Sequence, residues 1–152
     1  MTKGKSLSKE GVIVAVSLSE TAVLLVAETT EASSSLAAAV QERIAAGSSR
    51  FTLLVPAVAR GLHRFADPED ACCDEAERTV NALRSSIEAA AGEPISSMIG
   101  SHETLAAIED ATNRQSFDEI VLATRSSRVA RRLRLDLGSK VEALGTPVTV
   151  VG

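Results

Sequence analysis

Thr124-Arg125-Ser126-Ser127-Arg128 is the stretch whose residue types could hold an anion. Two serines at the start of a helix offer hydroxyls and free backbone N–H groups, and flanking guanidinium groups add charge-assisted hydrogen bonds. Arg131, Arg132, Arg134 and Lys140 continue the basic run, with Asp136 the one acid among them. Spacing of three and four places Arg128, Arg131 and Arg132 on one helix face. The chemistry this fits is binding of a phosphate-bearing small ligand. A solvated basic face, or arginines meeting the acids of a partner subunit, fits the same spacing.

The other reactive side chains form weaker sets. Cys72 and Cys73 are adjacent, so in a helix they diverge by about 100° and cannot share a metal or form a bridge. Acids at 69, 70, 74 and 75 oppose activation of either thiol. His63 and His102 are the two histidines. His102 follows Gly100-Ser101, but no nucleophile elbow and no metal-ligand spacing accompanies it. The acids Asp67, Glu69 and Asp70 surround Pro68 as helix-start residues do.

Composition narrows the partners. The chain has 152 residues, 2% of them aromatic, with a net charge of −4. Scarce aromatics argue against stacking on single-stranded nucleic acid, and the negative total argues against a general nucleic-acid binder. No apolar run reaches the roughly 20 residues of a membrane helix. Lys3, Lys5 and Lys9 precede the apolar stretch 11–27, but Ser17, Ser19, Glu20 and Thr21 interrupt it. No small-x-small cleavage site follows an unbroken apolar region, and a cytoplasmic protein is expected. The charge is also divided, with acids at Asp67–Glu77 and bases at Arg125–Lys140.

The elements that must position these groups alternate. Strands are predicted at Ala22–Ala27, Phe51–Val55 and Val148–Val151 from short apolar runs, at Phe117–Ala123 (FDEIVLA), and, on a weaker pattern, at Ile95–Ile99. Between them lie four helices. The first is capped by Ser33–Ser35, with Leu36, Val40 and Ile44 inward, and stops at Gly47. The second starts at Asp67-Pro68 with Ala76, Val80, Leu83, Ile87 and Ala90 inward, and stops at Gly92. The third is capped by Ser101, with Leu105, Ile108 and Thr112 inward. The last is capped by Ser126 or Ser127, with Val129, Leu133, Leu137, Val141 and Leu144 inward, ending at Gly145. This alternation implies a doubly wound α/β domain with a parallel sheet and helices on both faces. Ligands of such sheets bind beyond the carboxyl ends of the strands, where strand order reverses. The residues there are Glu28-Thr29-Thr30, Pro56-Ala57, Gly100-Ser101-His102 and Thr124–Arg128.

In order and spacing, five segments resemble the universal stress protein family. LLVAETTEAS (Leu24–Ser33) resembles its first strand and loop, and FTLLVPA (Phe51–Ala57) its second strand. Ile99-Gly100-Ser101-His102 sits where the family has a Gly-Asp-Pro loop. FDEIVLAT (Phe117–Thr124) resembles its fourth strand and LGTPVTVVG (Leu144–Gly152) its ending. VIVAVSLSETA (Val12–Ala22) is a competing match for the first strand. It would leave an overlong helix before Phe51, so Ala22–Ala27 is preferred and Val12–Val16 becomes an extra strand. Residues 1–20 are then an N-terminal extension, and 21–152 the domain.

The resemblance implies a five-stranded parallel sheet of order 3-2-1-4-5 and a homodimer joined through the edge strand Val148–Val151. It also implies an adenine nucleotide, ATP or AMP, in the crevice. The family's ATP-binding members carry Gly-x2-Gly-x9-Gly-Ser/Thr after the fourth strand, an Asp after the first and a Gly in the third loop. Here Glu28 stands at the Asp position and Gly100 in the third loop. Gly138-Ser139 matches the end of the glycine motif, but Arg125 and Arg128 stand at the earlier glycines counted back from it. Ala123 and Ser126 stand there when the strand is aligned first. The expectation is a non-enzymatic, stress-associated or regulatory homodimer with weak or absent nucleotide binding. Two alternatives stay open. One is an ATP- or AMP-binding protein that uses Glu28, Thr29, Gly100, Thr124, Arg125, Ser126, Ser127 and Arg128. The other is a small hydrolase or phosphotransferase on the same crevice.

Overall fold

Residues 20–57, 68–123 and 139–152 are described in a computed structural model. The five strands are β1 (Thr21–Ala27), β2 (Ser49–Pro56), β3 (Ser96–Gly100), β4 (Glu119–Ala123) and β5 (Val148–Val151). A 3-10 turn, Thr30–Ala32, leads into α1 (Ser33–Ala46). The other helices are α2 (Pro68–Ala91) and α3 (Thr104–Arg114), with helical residues also at 139–142.

The strands form one parallel sheet in the order β3-β2-β1-β4-β5, as the resemblance implies. The continuous apolar run AVLLVA is explained by the central place of β1, where both faces are covered. Its odd residues Val23, Leu25 and Ala27 join Leu36, Ala39 and Val40 of α1 and Leu83 and Ile87 of α2. Its even residues Ala22, Leu24 and Val26 join Ala107, Ile108 and Ala111 of α3, Phe117 and Val141. Two cores therefore sandwich the sheet, with α1 and α2 on one face and α3 on the other. Among the described residues, no helix is long and apolar enough to cross a membrane.

The registers are pinned by polar groups at the strand starts. Asp118 exchanges two hydrogen bonds with the backbone of Ala22, which donates to the carboxylate and accepts from the Asp118 N–H, both at 2.8 Å. Glu88 anchors the α2–β3 connection by accepting from Arg84 Nε at 2.9 Å and from the Ile95 N–H at 3.1 Å. Those two donors hold its carboxyl below the ordinary carboxylate range. Gly92, just past α2, has φ 73°, the left-handed conformation that glycine reaches without Cβ strain.

Several local expectations change. The cap of α1 is Ala32 rather than a serine, and no side chain closes it. The 3-10 turn supplies the entry instead, with the Ala32 N–H on the Thr29 carbonyl at 3.3 Å. The cap of α3 is Glu103, two residues beyond Ser101. Ile44 is 41% exposed and Leu144 is 39% exposed, although both were expected inward. A row spaced strictly by four drifts about 40° per step around a helix of 3.6 residues per turn. The buried stripe of α1 is accordingly Leu36-Ala39-Val40, and it passes to Arg43. On α3 the fully buried apolar residues are Ala107, Ile108 and Ala111, while Leu105 and Thr112 are half-buried. Val12–Val16, the Asp67 cap and the helix positions Val129, Leu133 and Leu137 lie outside the described residues.

Candidate functional site

The strand order turns over between β1 and β4. Ala27 pairs with Ala123 at the ends of these strands, so the two chain exits lie side by side. α1 follows β1 to one face of the sheet and α3 enters β4 from the other. The opening between such exits is where doubly wound sheets take ligands.

Glu28 is the first residue past β1 and is half-buried. Its Oε1 accepts a hydrogen bond from Thr104 Oγ1 at 2.5 Å. Thr104 is the first residue of α3 and is buried. A hydroxyl donating to a carboxylate at this length is charge-assisted and strong. An anionic side chain is also favoured at the positive end of a helix. Thr29 is half-buried and extended, and its carbonyl starts the 3-10 turn.

The third loop lies beside them. Ala57, after β2, donates its N–H to the carbonyls of both Gly100 and Ser101 at 3.2 Å, tying the second and third strand exits together. A Cβ built on Gly100 would overlap Ala107 Cβ, and would lie 3.0 Å from Leu54 Cδ1 and 3.3 Å from Ala107 Cα. Glycine at 100 is therefore required by the seating of α3 against the sheet. Ser101 Oγ donates to the Glu103 carbonyl at 3.3 Å, and His102 is exposed.

Of the residues predicted for the site, Glu28, Thr29 and Gly100 come to the strand exits. Thr124, Arg125, Ser126, Ser127 and Arg128 lie outside the described residues, as does His63. Cys73 is an exposed free thiol, and the Cys72 side chain is outside the description. Among the described residues, no group of three or more His, Cys, Asp or Glu side chains could hold a metal ion.

Sequence reasoning missed two polar pairings. The first is Thr104 with Glu28. The second lies at the opposite end of the sheet, where Arg43 of α1 grips Glu119 of β4 with both forks. Nε donates to Oε2 at 3.0 Å and Nη2 donates to Oε1. Thr149 of β5 donates to Oε1 at 2.7 Å, and Arg43 Nη1 donates to the Ala39 carbonyl at 3.2 Å. Burial pushes the Glu119 carboxyl up, but the hydrogen bonds from Arg43 and Thr149 and the guanidinium charge outweigh it. The group ends below its usual value. The one sequence signal was Arg43 itself, a cation continuing the inward stripe of α1.

No family model and no curated protein matches the chain. Solved structures do. One is a protein from the universal stress protein family of Burkholderia pseudomallei, with a TM-score of 0.61 and 14% identity over 86% of this chain and 94% of that one. Another is the universal stress protein from Archaeoglobus fulgidus in complex with dAMP, at 0.60 and 15% over 88% and 98%. A third is a universal stress protein in complex with cAMP, at 0.55 and 16% over 87% and 96%. The chain has the universal stress protein fold.

Proposed function

We propose that the chain is a non-enzymatic, cytoplasmic regulatory domain, stress-associated in role, that binds an adenosine monophosphate-type ligand at the β1–β4 exit and works as a homodimer. The observation that carries this reading is the Glu28 carboxylate held at the topological switch point by Thr104. Two similar folds carry cAMP and dAMP in their solved complexes, which makes an adenine monophosphate the first ligand to try. The altered glycine motif argues in the same direction. A triphosphate needs the close backbone approach that glycines permit, whereas a single phosphate can be met by the serines and arginines of Thr124–Arg128. No catalytic role is assigned to Ser101 or His102.

Calorimetric titration tests the ligand. AMP is expected to bind, ATP to bind more weakly and to be recovered intact, and Glu28→Gln to weaken AMP by about ten-fold, the worth of a hydrogen bond to a charged acceptor. Absence of heat and of any melting shift with AMP, cAMP and ATP would overturn the reading.

The homodimer rests on β5. It is four residues long, lies at the sheet edge beside β4 and is half-buried throughout. Unpaired edges of β-branched residues invite strand addition. Sedimentation at micromolar concentration is expected to give twice the chain mass, and Val150→Lys to give the single chain. A single-chain mass for the unmodified protein would remove the dimer from the proposal.

A further inference from the structure

We propose that α1 couples the ligand crevice to the dimer edge, so that the ligand and a second copy of the chain bind with positive cooperativity, and that Arg43 is the residue through which the coupling passes. The inference rests on both the ligand and the homodimer readings above and adds the link between them.

One helix carries both ends of this link. Its entry is at the crevice. Thr29 stands at the β1 exit, and its carbonyl accepts the Ala32 N–H in the 3-10 turn that leads into Ser33. Its other end is at the edge. Arg43 follows Ser33 by ten residues, about 15 Å along a helix that rises 1.5 Å per residue. Arg43 holds Glu119 of β4 through Nε and Nη2, and Glu119 Oε1 accepts from Thr149 of β5 as well. A single carboxylate oxygen therefore receives both the helix and the edge strand. Any displacement of Arg43 moves the acceptor that fastens β5.

The two ends are held unequally. The entry has one backbone bond of 3.3 Å and no side-chain cap. The far end has both bonds to Glu119, with Nη1 on the Ala39 carbonyl at 3.2 Å. Between them Leu36, Ala39 and Val40 are buried against the sheet. A close-packed helix shifts as a unit between discrete seatings and does not bend continuously. What steadies one end therefore steadies the other. A ligand against Thr29 adds hold at the loose end, and strand addition at β5 adds it at the tight end. Each leaves less ordering for the other to supply, which is positive coupling. Linkage makes the coupling factor equal in both directions.

The test measures that factor on the full chain with AMP as the probe. Sedimentation over a concentration series gives the dimer dissociation constant, and saturating AMP is expected to lower it by about ten-fold. AMP titrations at chain concentrations below and above that constant are expected to differ by the same factor. Arg43→Met keeps the apolar stem on the sheet and removes the fork. It is expected to leave the AMP affinity of the single chain unchanged and to bring the factor to about one. Thr149→Val keeps the shape and branching of the edge residue and removes its bond to Glu119, and it is expected to do the same to the factor. If AMP binds and the dimer forms but the two constants are independent in the unmodified protein, the inference falls while both readings stand. It falls equally if Arg43→Met and Thr149→Val keep the factor. A chain that binds no AMP overturns the ligand reading, a chain that stays single overturns the dimer, and either result takes the inference with it.

Discussion

Gly100→Ala is expected to destabilise the domain by about 2–3 kcal/mol, the cost of overpacking a filled contact, and to lower its melting midpoint by about 6–9 °C for a chain of this size. The side chain it introduces has nowhere to go. Leu54 Cδ1, at 3.0 Å, is the end of a flexible side chain and can turn away. Ala107 Cβ and, at 3.3 Å, Ala107 Cα belong to the helix and cannot move without lifting α3. Ala107 is 1% exposed, so lifting α3 also opens the core on that face. Ala107→Gly removes the worst overlap, although glycine inside a helix costs about 1 kcal/mol by itself. The double variant is expected to be more stable than Gly100→Ala alone, a coupling that neighbours in contact show and distant sites do not. Urea unfolding of the four proteins gives the cycle. Additive losses would refute the packing account and return Gly100 to the role that the resemblance gives it, a lining residue of the nucleotide site.

This distinction shows which parts of the molecule were readable in advance. The sheet was, because four of the strands hold apolar runs whose meaning is local, whereas β3, Ser-Ser-Met-Ile-Gly, gives a weaker signal. AVLLVA reads as a strand covered on both faces, and VTVV ends the sheet at the residues the pattern marks. Gly92 was readable for the same reason, since a helix stop is written within one turn of the chain. The helix entries were less so. Ser33 to Ser35 and Ser101 are good caps by type, but α1 is entered through a backbone turn and α3 starts three residues after Ser101. The site was half readable. Glu28 follows from its place after a strand. Thr104 does not, because its importance comes from a partner 76 residues away. The Arg43–Glu119 pair has the same separation and was hidden in the same way. Such pairs exist only after the strand order and the helix rotation are set, and neither hydrophobic period nor capping rules report them.

Glu119→Gln is expected to cost about 2 kcal/mol at neutral pH, between the small worth of an exposed ion pair and the 3–5 kcal/mol lost when a fully buried one is broken. The side chains justify the intermediate value, with Arg43 15% and Glu119 21% exposed. The glutamine leaves Arg43 without the carboxylate that both of its forks engage. Arg43→Met is expected to be milder, because its thioether chain can still pack on the sheet and Glu119 keeps the Thr149 hydroxyl. The pH dependence has a definite sign. The folded-state carboxyl lies below its ordinary value of 4.5, so the unfolded chain takes up the proton first. The stabilisation is complete above that value and is lost as the pH falls through the folded-state value. Acid unfolding followed in urea should therefore show a gap between the unmodified protein and Glu119→Gln that is widest at neutral pH and closes as the pH falls through the lowered folded-state value. Glu88 is shifted in the same direction, but it is present in both proteins and drops out of the difference. A gap that stays constant across the range would mean that the carboxylate charge contributes nothing beyond shape. The strand that feels the loss is β5, which Thr149 fastens to Glu119. Amide exchange is expected to quicken at Thr149 to Val151 before it does in β1, since β5 has a neighbour on one side alone within the sheet. If that edge also joins two chains, Glu119→Gln should weaken the dimer without touching any residue of the strand itself.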